Sequence, residues 1–402
     1  MAMRMLLNRR LLGGLGISIV LMAAAAGSPA ASQVQPALQE ARRHMLDADI
    51  NTLMFHSMDT LFDTRTVGRS GPVWAIPRSD HALDFTYRFE GAEHSTDEFL
   101  ERTFTNALIV IKDGRIVSET YRNKTDASTR FIAWSMTKSF VSAMVGAALA
   151  EGRIKSLDEQ VTAYLPELKG GGYDGATIRN VLQMRSGVEY DERYDFQNPS
   201  AAQLNHENSL VQNRTRFADA ARAIKRIHPP GEVFAYKTLD TAVLGWLVER
   251  AVGTTFANYL TQKLWEPLGT EAQGFFIMDG PPGVGREFTG AGFNATARDF
   301  ARFGLMMLGE GSANGHQILS PQWVREATRP TTTPNASNYG YQWWTVPNSP
   351  AYYALGLQGQ YVYVDPATKT VVVKMSYFPP ANQKAGQETL AFMAAASAWT
   401  AR

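Results

Sequence analysis

The turn pair Asp113-Gly114 most constrains how this chain can fold. It separates two strand-like runs, Ala107-Leu-Ile-Val-Ile111 and Arg115-Ile-Val-Ser-Glu-Thr-Tyr121. Asp-Gly between such runs predicts a tight hairpin, because the favoured two-residue turns need positive φ, which glycine adopts without strain. A second pair of strands is expected near the other end, Tyr361-Val-Tyr-Val364 and Thr370 to Ser376, around the turn Asp365-Pro366. Between the two hairpins the patterning is helical. Phe140, Val141, Met144, Val145 and Ala148 recur at helical spacing between Ser135 and Ala150, and Glu151-Gly152 stops the run. The stretches from Thr177 to Met184 and from Thr241 to Val252 also read as helices. Ala297 to Leu308 is amphipathic, and a closing helix is expected from about Glu388.

Strands at both ends with helices between predict an α/β chain of the α+β type: one antiparallel sheet built from both ends of the chain, flanking helices, and an inserted, mainly helical region. The expected single domain covers 33–402, with its sheet part in 33–150 and 290–402 and the helical insertion in 151–289. Residues Gln33 to about Arg102 are expected to wrap around it, and the site to lie between sheet and insertion.

Composition narrows the function. With 45% hydrophobic and 19% charged residues, the chain can bury a substantial core. Its 39 basic and 38 acidic side chains, net +1, offer no field for a polyanion, so nucleic acid is not an expected partner. The absence of cysteine excludes disulfides, a thiol nucleophile and a lipoprotein anchor. Arg4, Arg9 and Arg10, the uncharged run Leu11 to Ala26 and the small residues up to Ser32 predict a signal peptide over 1–31 and a periplasmic or secreted protein. The run is shorter than the roughly 20 residues of a spanning helix, which argues against a retained anchor or a stable membrane partner. General secretory and twin-arginine export both remain open. The acceptor patterns at Asn123, Asn213, Asn294 and Asn335 matter only in a glycosylating pathway.

Ser135-Met-Thr-Lys138 is the only S-x-x-K in the chain. At a helix start this offset puts both side chains on one face, about 5–6 Å apart at Cβ. A serine hydroxyl needs a base within reach, and a lysine can serve when burial lowers its pKa. The Ser135 amide, at a helix N-terminus, can also face a developing oxyanion. Alone the motif is weak, since chance supplies roughly one match in such a chain. Its company gives it force. Tyr236-Lys-Thr238 follows Pro230-Gly231 in a loop entering a helix, where a phenol can relay a proton and the Thr238 hydroxyl can point the same way. Tyr121-Arg-Asn123 and Tyr259-Leu-Thr261 match that pattern too, but sit in elements that suggest structural roles. The third element is Ala354-Leu-Gly356-Leu-Gln-Gly359-Gln360, where glycine lets the backbone approach a substrate and the Leu357 amide can supply the second oxyanion donor. A plain sheet bulge is the alternative there.

In order and spacing these three motifs resemble the serine β-lactamase and penicillin-binding-protein superfamily, and within it the 6-aminohexanoate-dimer hydrolase branch and related esterases. The likeness is densest in Trp134 to Ser142, Glu151-Gly-Arg-Ile154, Leu165-Pro-Glu-Leu168, Tyr339 to Trp344 and Gly356 to Gln360. It implies a β-lactamase/transpeptidase-like fold, Ser135 as acylated nucleophile, Lys138 as base, Tyr236 as proton relay, and the Ser135 and Leu357 amides as oxyanion hole. Tyr194 matches a tyrosine on a loop over the substrate. Thr238, Gly356, Gln358 and Trp344 are further candidate substrate contacts, Trp344 as the ring of its aromatic cluster that could line an acyl pocket. The resemblance implies neither metal nor organic cofactor.

Two departures matter. The superfamily's polar groups on the third strand, which help bind the drug or peptide carboxylate, are replaced by Ala354 and Leu355, and an asparagine of the nylon-oligomer branch is replaced by Gly290. The expected substrate is therefore a carboxylic ester or small linear amide. A β-lactamase or D-amino-peptide hydrolase is the alternative within the fold, and a periplasmic binding or sensor protein without turnover the alternative outside enzymes. The sequence has no G-x-S-x-G or H-E-x-x-H, and His206 and His228 are expected to be solvated or structural.

Overall fold

A computed structural model of the chain describes residues 34–193, 199–332 and 337–400. The expected signal at 1–31 and Tyr194 both lie outside the described residues. In chain order, the strands of the two main sheets are β1 (Thr64–Val67), β2 (Thr105–Lys112), β3 (Arg115–Tyr121), β4 (Arg130–Ile132) and β5 (Gly274–Ile277). They continue with β6 (Phe293–Thr296), β7 (Trp344–Thr345), β8 (Tyr352–Gly356), β9 (Gln360–Asp365) and β10 (Thr370–Ser376). The helices that frame them are α1 (Pro36–His44), α2 (Thr137–Ala150), α3 (Ala201–His206), α4 (Thr238–Val252), α5 (Ala297–Leu308) and α6 (Gln383–Ala398).

The larger sheet runs β7-β8-β9-β10-β2-β3, antiparallel throughout, so strands from the two ends of the chain meet where β10 pairs with β2. The Asp113-Gly114 hairpin forms as expected, with φ of 47° and 75° at its two turn residues. Strand β2 lies inside the sheet between β10 and β3 and is buried because both of its faces are covered. Ala107, Ile109 and Ile111 point into the main core, while Leu108 and Val110 pack with Phe392 and Met393 of α6 in a second cluster. Because both faces are buried, the run from Ala107 to Ile111 is apolar throughout and shows no alternation. Helix α5 covers the opposite face, where Phe303 stacks on Phe140 of α2 at 3.9 Å. Helix α2 is buried over most of its length, which explains an apolar composition all round.

One antiparallel sheet was expected, and there is a second of four strands, β1-β5-β6-β4. Strand β5 falls in the stretch expected as helical up to 289, yet pairs with β1 and β6. These strands have only three or four residues, too few to display alternation, and their partners lie far away in sequence. The second sheet ends at β4, which leads directly into the turn before α2. The closing helix starts at Gln383, earlier than Glu388, because the Asn382 side chain accepts the Ala385 amide and caps it. Asn213 and Asn294 are buried, which closes both to a glycan.

Candidate active site

Ser135 lies on a single 3-10 turn, Trp134–Met136, between β4 and α2. The preceding Trp134 has φ 45°, an unfavourable region for so large a side chain. Tertiary contacts hold it there: the indole meets the Phe55 ring edge-on at 5.4 Å, and the Ala133 amide donates to the Phe293 carbonyl at 2.7 Å. The strained turn ties the serine to both sheets.

Lys138, one turn on, is buried. Its Nζ lies 2.9 Å from Ser135 Oγ, 3.1 Å from Thr238 Oγ1 and 2.8 Å from the Gly290 carbonyl. This set suits a neutral amine. Two N–H groups donate to Gly290 and Thr238, and the lone pair is left for the Ser135 proton. Burial pushes the Lys138 pKa down to about 8, opposed by the charge of Glu192.

Thr238 opens α4, and its amide is one of the donors a helix start leaves without an internal partner. The Glu192 carboxylate accepts that amide at 2.5 Å and accepts the Thr238 hydroxyl with its other oxygen. A carboxylate at a helix N-terminus is favoured by the helix dipole. It also sets the Thr238 hydroxyl as donor to Glu192, leaving the oxygen to accept from Lys138. Glu192 was not among the sequence candidates. It sits in the loop singled out for Tyr194, but nothing in local spacing reveals its contact with Thr238.

Tyr236 comes in from the loop before α4. Its ring lies 5.1 Å from Lys138 Nζ and stacks on Trp344 at 5.7 Å, with Tyr339 edge-on at 6.0 Å. Burial and the Glu192 charge raise the phenol above its ordinary pKa, and interaction with the Ser135 hydroxyl opposes them. The phenol is therefore protonated and able to act as an acid. Trp344 reaches the site through the Tyr236 ring rather than through the cavity beside Ser135.

Strand β8 brings its end against the serine turn. A Cβ on Gly356 would lie 2.2 Å from the Ala133 carbonyl oxygen, so only glycine permits this approach. The amides of Ser135 and Leu357 donate to no acceptor among the described residues, and both residues line the same cavity. Gly356 is not among the residues lining this cavity, and its lack of a side chain is what lets the strand end approach the serine turn. Gln358, expected as a substrate contact, is instead buried with φ 55°, its side chain donating to the Leu46 carbonyl at 2.8 Å and accepting from Asn51 at 3.1 Å. The turn directs it away from the cavity.

The two departures from the superfamily pattern have packing reasons. Ala354 joins the main core and Leu355 the second cluster, so neither offers a polar group to a carboxylate. A Cβ at Gly290 would lie 2.5 Å from Thr238 Cγ2, so the Gly290 carbonyl contact with Lys138 leaves no room there for an asparagine unless Thr238 moves. Tyr121 and Tyr259, the other tyrosine matches, donate to Glu119 and Glu151 and take no part. Among the described residues no group of His, Asp and Glu could hold a metal ion. His206 lines the cavity, which was not expected of it.

The sequence profile described as Beta-lactamase matches residues 96–395. A 6-aminohexanoate-dimer hydrolase of Paenarthrobacter ureafaciens is 33% identical over 301 residues, covering 70% of this chain and 75% of that protein. Among solved structures, a candidate 6-aminohexanoate-dimer hydrolase from Bacillus anthracis aligns at 25% identity with a TM-score of 0.78, over 88% of this chain and 95% of that one. The octameric penicillin-binding protein homologue from Pyrococcus abyssi shares the fold, with a TM-score of 0.56 at 20% identity over 74% of this chain and 75% of that one. With the serine turn, the buried lysine and the glycine strand in place, these likenesses make the chain a member of the beta-lactamase family and a hydrolase related to 6-aminohexanoate-dimer hydrolase.

Proposed function

We propose that the protein is a serine hydrolase that cleaves carboxylic esters or small linear amides through an acyl-enzyme on Ser135. The observation that carries this reading is the hydrogen-bond set of Lys138, which fits a neutral amine with its lone pair toward Ser135 Oγ. In acylation Ser135 Oγ bonds to the substrate carbonyl carbon while its proton passes to Lys138. The oxyanion is received by the amides of Ser135 and Leu357. The bond to the leaving group then breaks as Tyr236 gives it a proton, replaced from Lys138. Water, activated through Lys138 and Tyr236, then attacks the acyl carbonyl, and the proton it gives up passes to Ser135 Oγ as the acyl bond breaks, releasing the acid and restoring Ser135. Export of the enzyme belongs to the same reading, on the strength of the Arg4 to Ser32 pattern.

A fluorophosphonate probe tests the nucleophile. After labelling and tryptic digestion, the phosphonyl mass is expected on the peptide Phe131 to Lys138, at Ser135. An unlabelled peptide, or the adduct on another serine, overturns the proposal.

Glu192 supplies a second test. Its charge raises the Lys138 pKa, so Glu192→Gln is expected to make the amine neutral at lower pH. The acid limb of the kcat/KM profile should then move below the value near 8 of the wild type. A limb that stays in place, or moves up, removes Glu192 from control of Lys138.

A further inference from the structure

Ser135 opens on a cavity of about 550 Å³ whose walls are largely apolar. Trp134, Leu357, Phe288, Ala291, Phe217 and Val211 give it its apolar lining beside Ser135. Residues of α1 and α3 also line it. Among the described residues, the charged groups along it already have partners. Arg43 pairs with Glu207 at 2.7 Å, His44 with Asp47 at 2.7 Å, and the Arg42 guanidinium is bonded to the Leu61 and Leu210 carbonyls and to Asn213. Burial holds His206 neutral, with a pKa of about 4. Tyr236 and Trp344 do not line this cavity. Since Tyr236 is the group placed to protonate the leaving group, the cavity takes the other half of the substrate, the acyl half.

We infer that this cavity is an acyl-binding site for an uncharged aliphatic chain, so that the natural substrates are esters or amides of medium-chain fatty acids rather than of short or ω-amino acids. The inference rests on the serine-hydrolase reading given above. The size fits, since a cavity of roughly 150 Å³ already holds a benzene molecule. The lining fits as well, because among the described residues the carboxylates of this wall, Asp47 and Glu207, already accept from His44 and Arg43, and burying an ammonium against the apolar remainder is costly.

The experiment is a p-nitrophenyl ester series from acetate to octanoate with the leaving group held constant. kcat/KM is expected to climb by up to about fourfold per added methylene, the gain from burying one such group. Hexanoate is expected to exceed 6-aminohexanoate by more than tenfold. A flat or falling series with acetate turned over and Ser135 labelled overturns this inference alone, and so does a gain found only when the alcohol is lengthened. Failure to turn over acetate, with no label on Ser135, overturns the serine-hydrolase reading instead. Ala202→Phe, which intrudes on the cavity from α3, should lower the octanoate-to-acetate ratio at least tenfold. Rates are taken per fluorophosphonate-titrated site, so misfolded protein does not enter the ratio, and an unchanged ratio counts against the cavity.

Discussion

Lys138→Met is expected to lower kcat/KM by about 10⁴-fold, close to the loss from Ser135→Ala, because nucleophile and base act as one unit. Methionine keeps much of the side-chain volume but removes the amine that lies 2.9 Å from Ser135 Oγ. Thr238 still donates to Glu192, whereas the Gly290 carbonyl loses its donor, a stability cost of about 1–3 kcal/mol. The wild-type kcat/KM should rise with pH through about 8 as the amine loses its proton. Stability carries the same signature with a definite sign. Between about 8 and the ordinary 10.5 the unfolded chain still binds a proton that the folded chain has released, so wild-type stability rises with pH across that window. The methionine variant should lack both the activity limb and this contribution to stability. Steady-state kinetics and urea unfolding at several pH values check the pair. Activity within tenfold of wild type would take the base role from Lys138.

What the sequence discloses follows the range of the interactions. Asp113-Gly114 announces its hairpin because turn geometry is decided by the turn residues themselves, and Ala297–Leu308 is found with the expected bounds because its apolar face repeats over three turns. Ser135 and Lys138 are likewise one helical turn apart, so their proximity is local arithmetic. Contacts between distant segments are a different matter. Strands β1, β4, β5 and β6 are each marginal alone and become a sheet only through one another. Glu192 looks like any loop carboxylate until α4 presents the Thr238 amide to it, and that contact also moves the start of the helix from the expected Thr241 to Thr238. Gln358 misleads for the same reason. Its place in a motif suggests substrate, but its positive φ and the carbonyl of Leu46 decide where the side chain goes.

Gly356→Ala is expected to reduce kcat by about 10²–10³-fold, the usual cost of losing one oxyanion donor. The added methyl would meet the Ala133 carbonyl oxygen at 2.2 Å and Gln360 Cβ at 2.8 Å, both part of well-packed structure. Strand β8 must therefore back away from the serine turn. The Leu357 amide moves with it, while Lys138 and Tyr236 stay on elements that the added methyl does not meet. Stability should fall by about 1–3 kcal/mol, as for other overpacked sites, leaving the protein folded for assay. The kinetic pattern separates this lesion from loss of the base. Lys138→Met abolishes the limb near 8, whereas Gly356→Ala should keep it at the same pH with a lower plateau, because the amine and its partners are unchanged. KM should change little if the amide acts mainly on the transition state. Should kcat stay within threefold of wild type in a folded Gly356→Ala protein, the second oxyanion donor does not come from the end of β8, and the close approach of that strand to Ala133 serves packing alone.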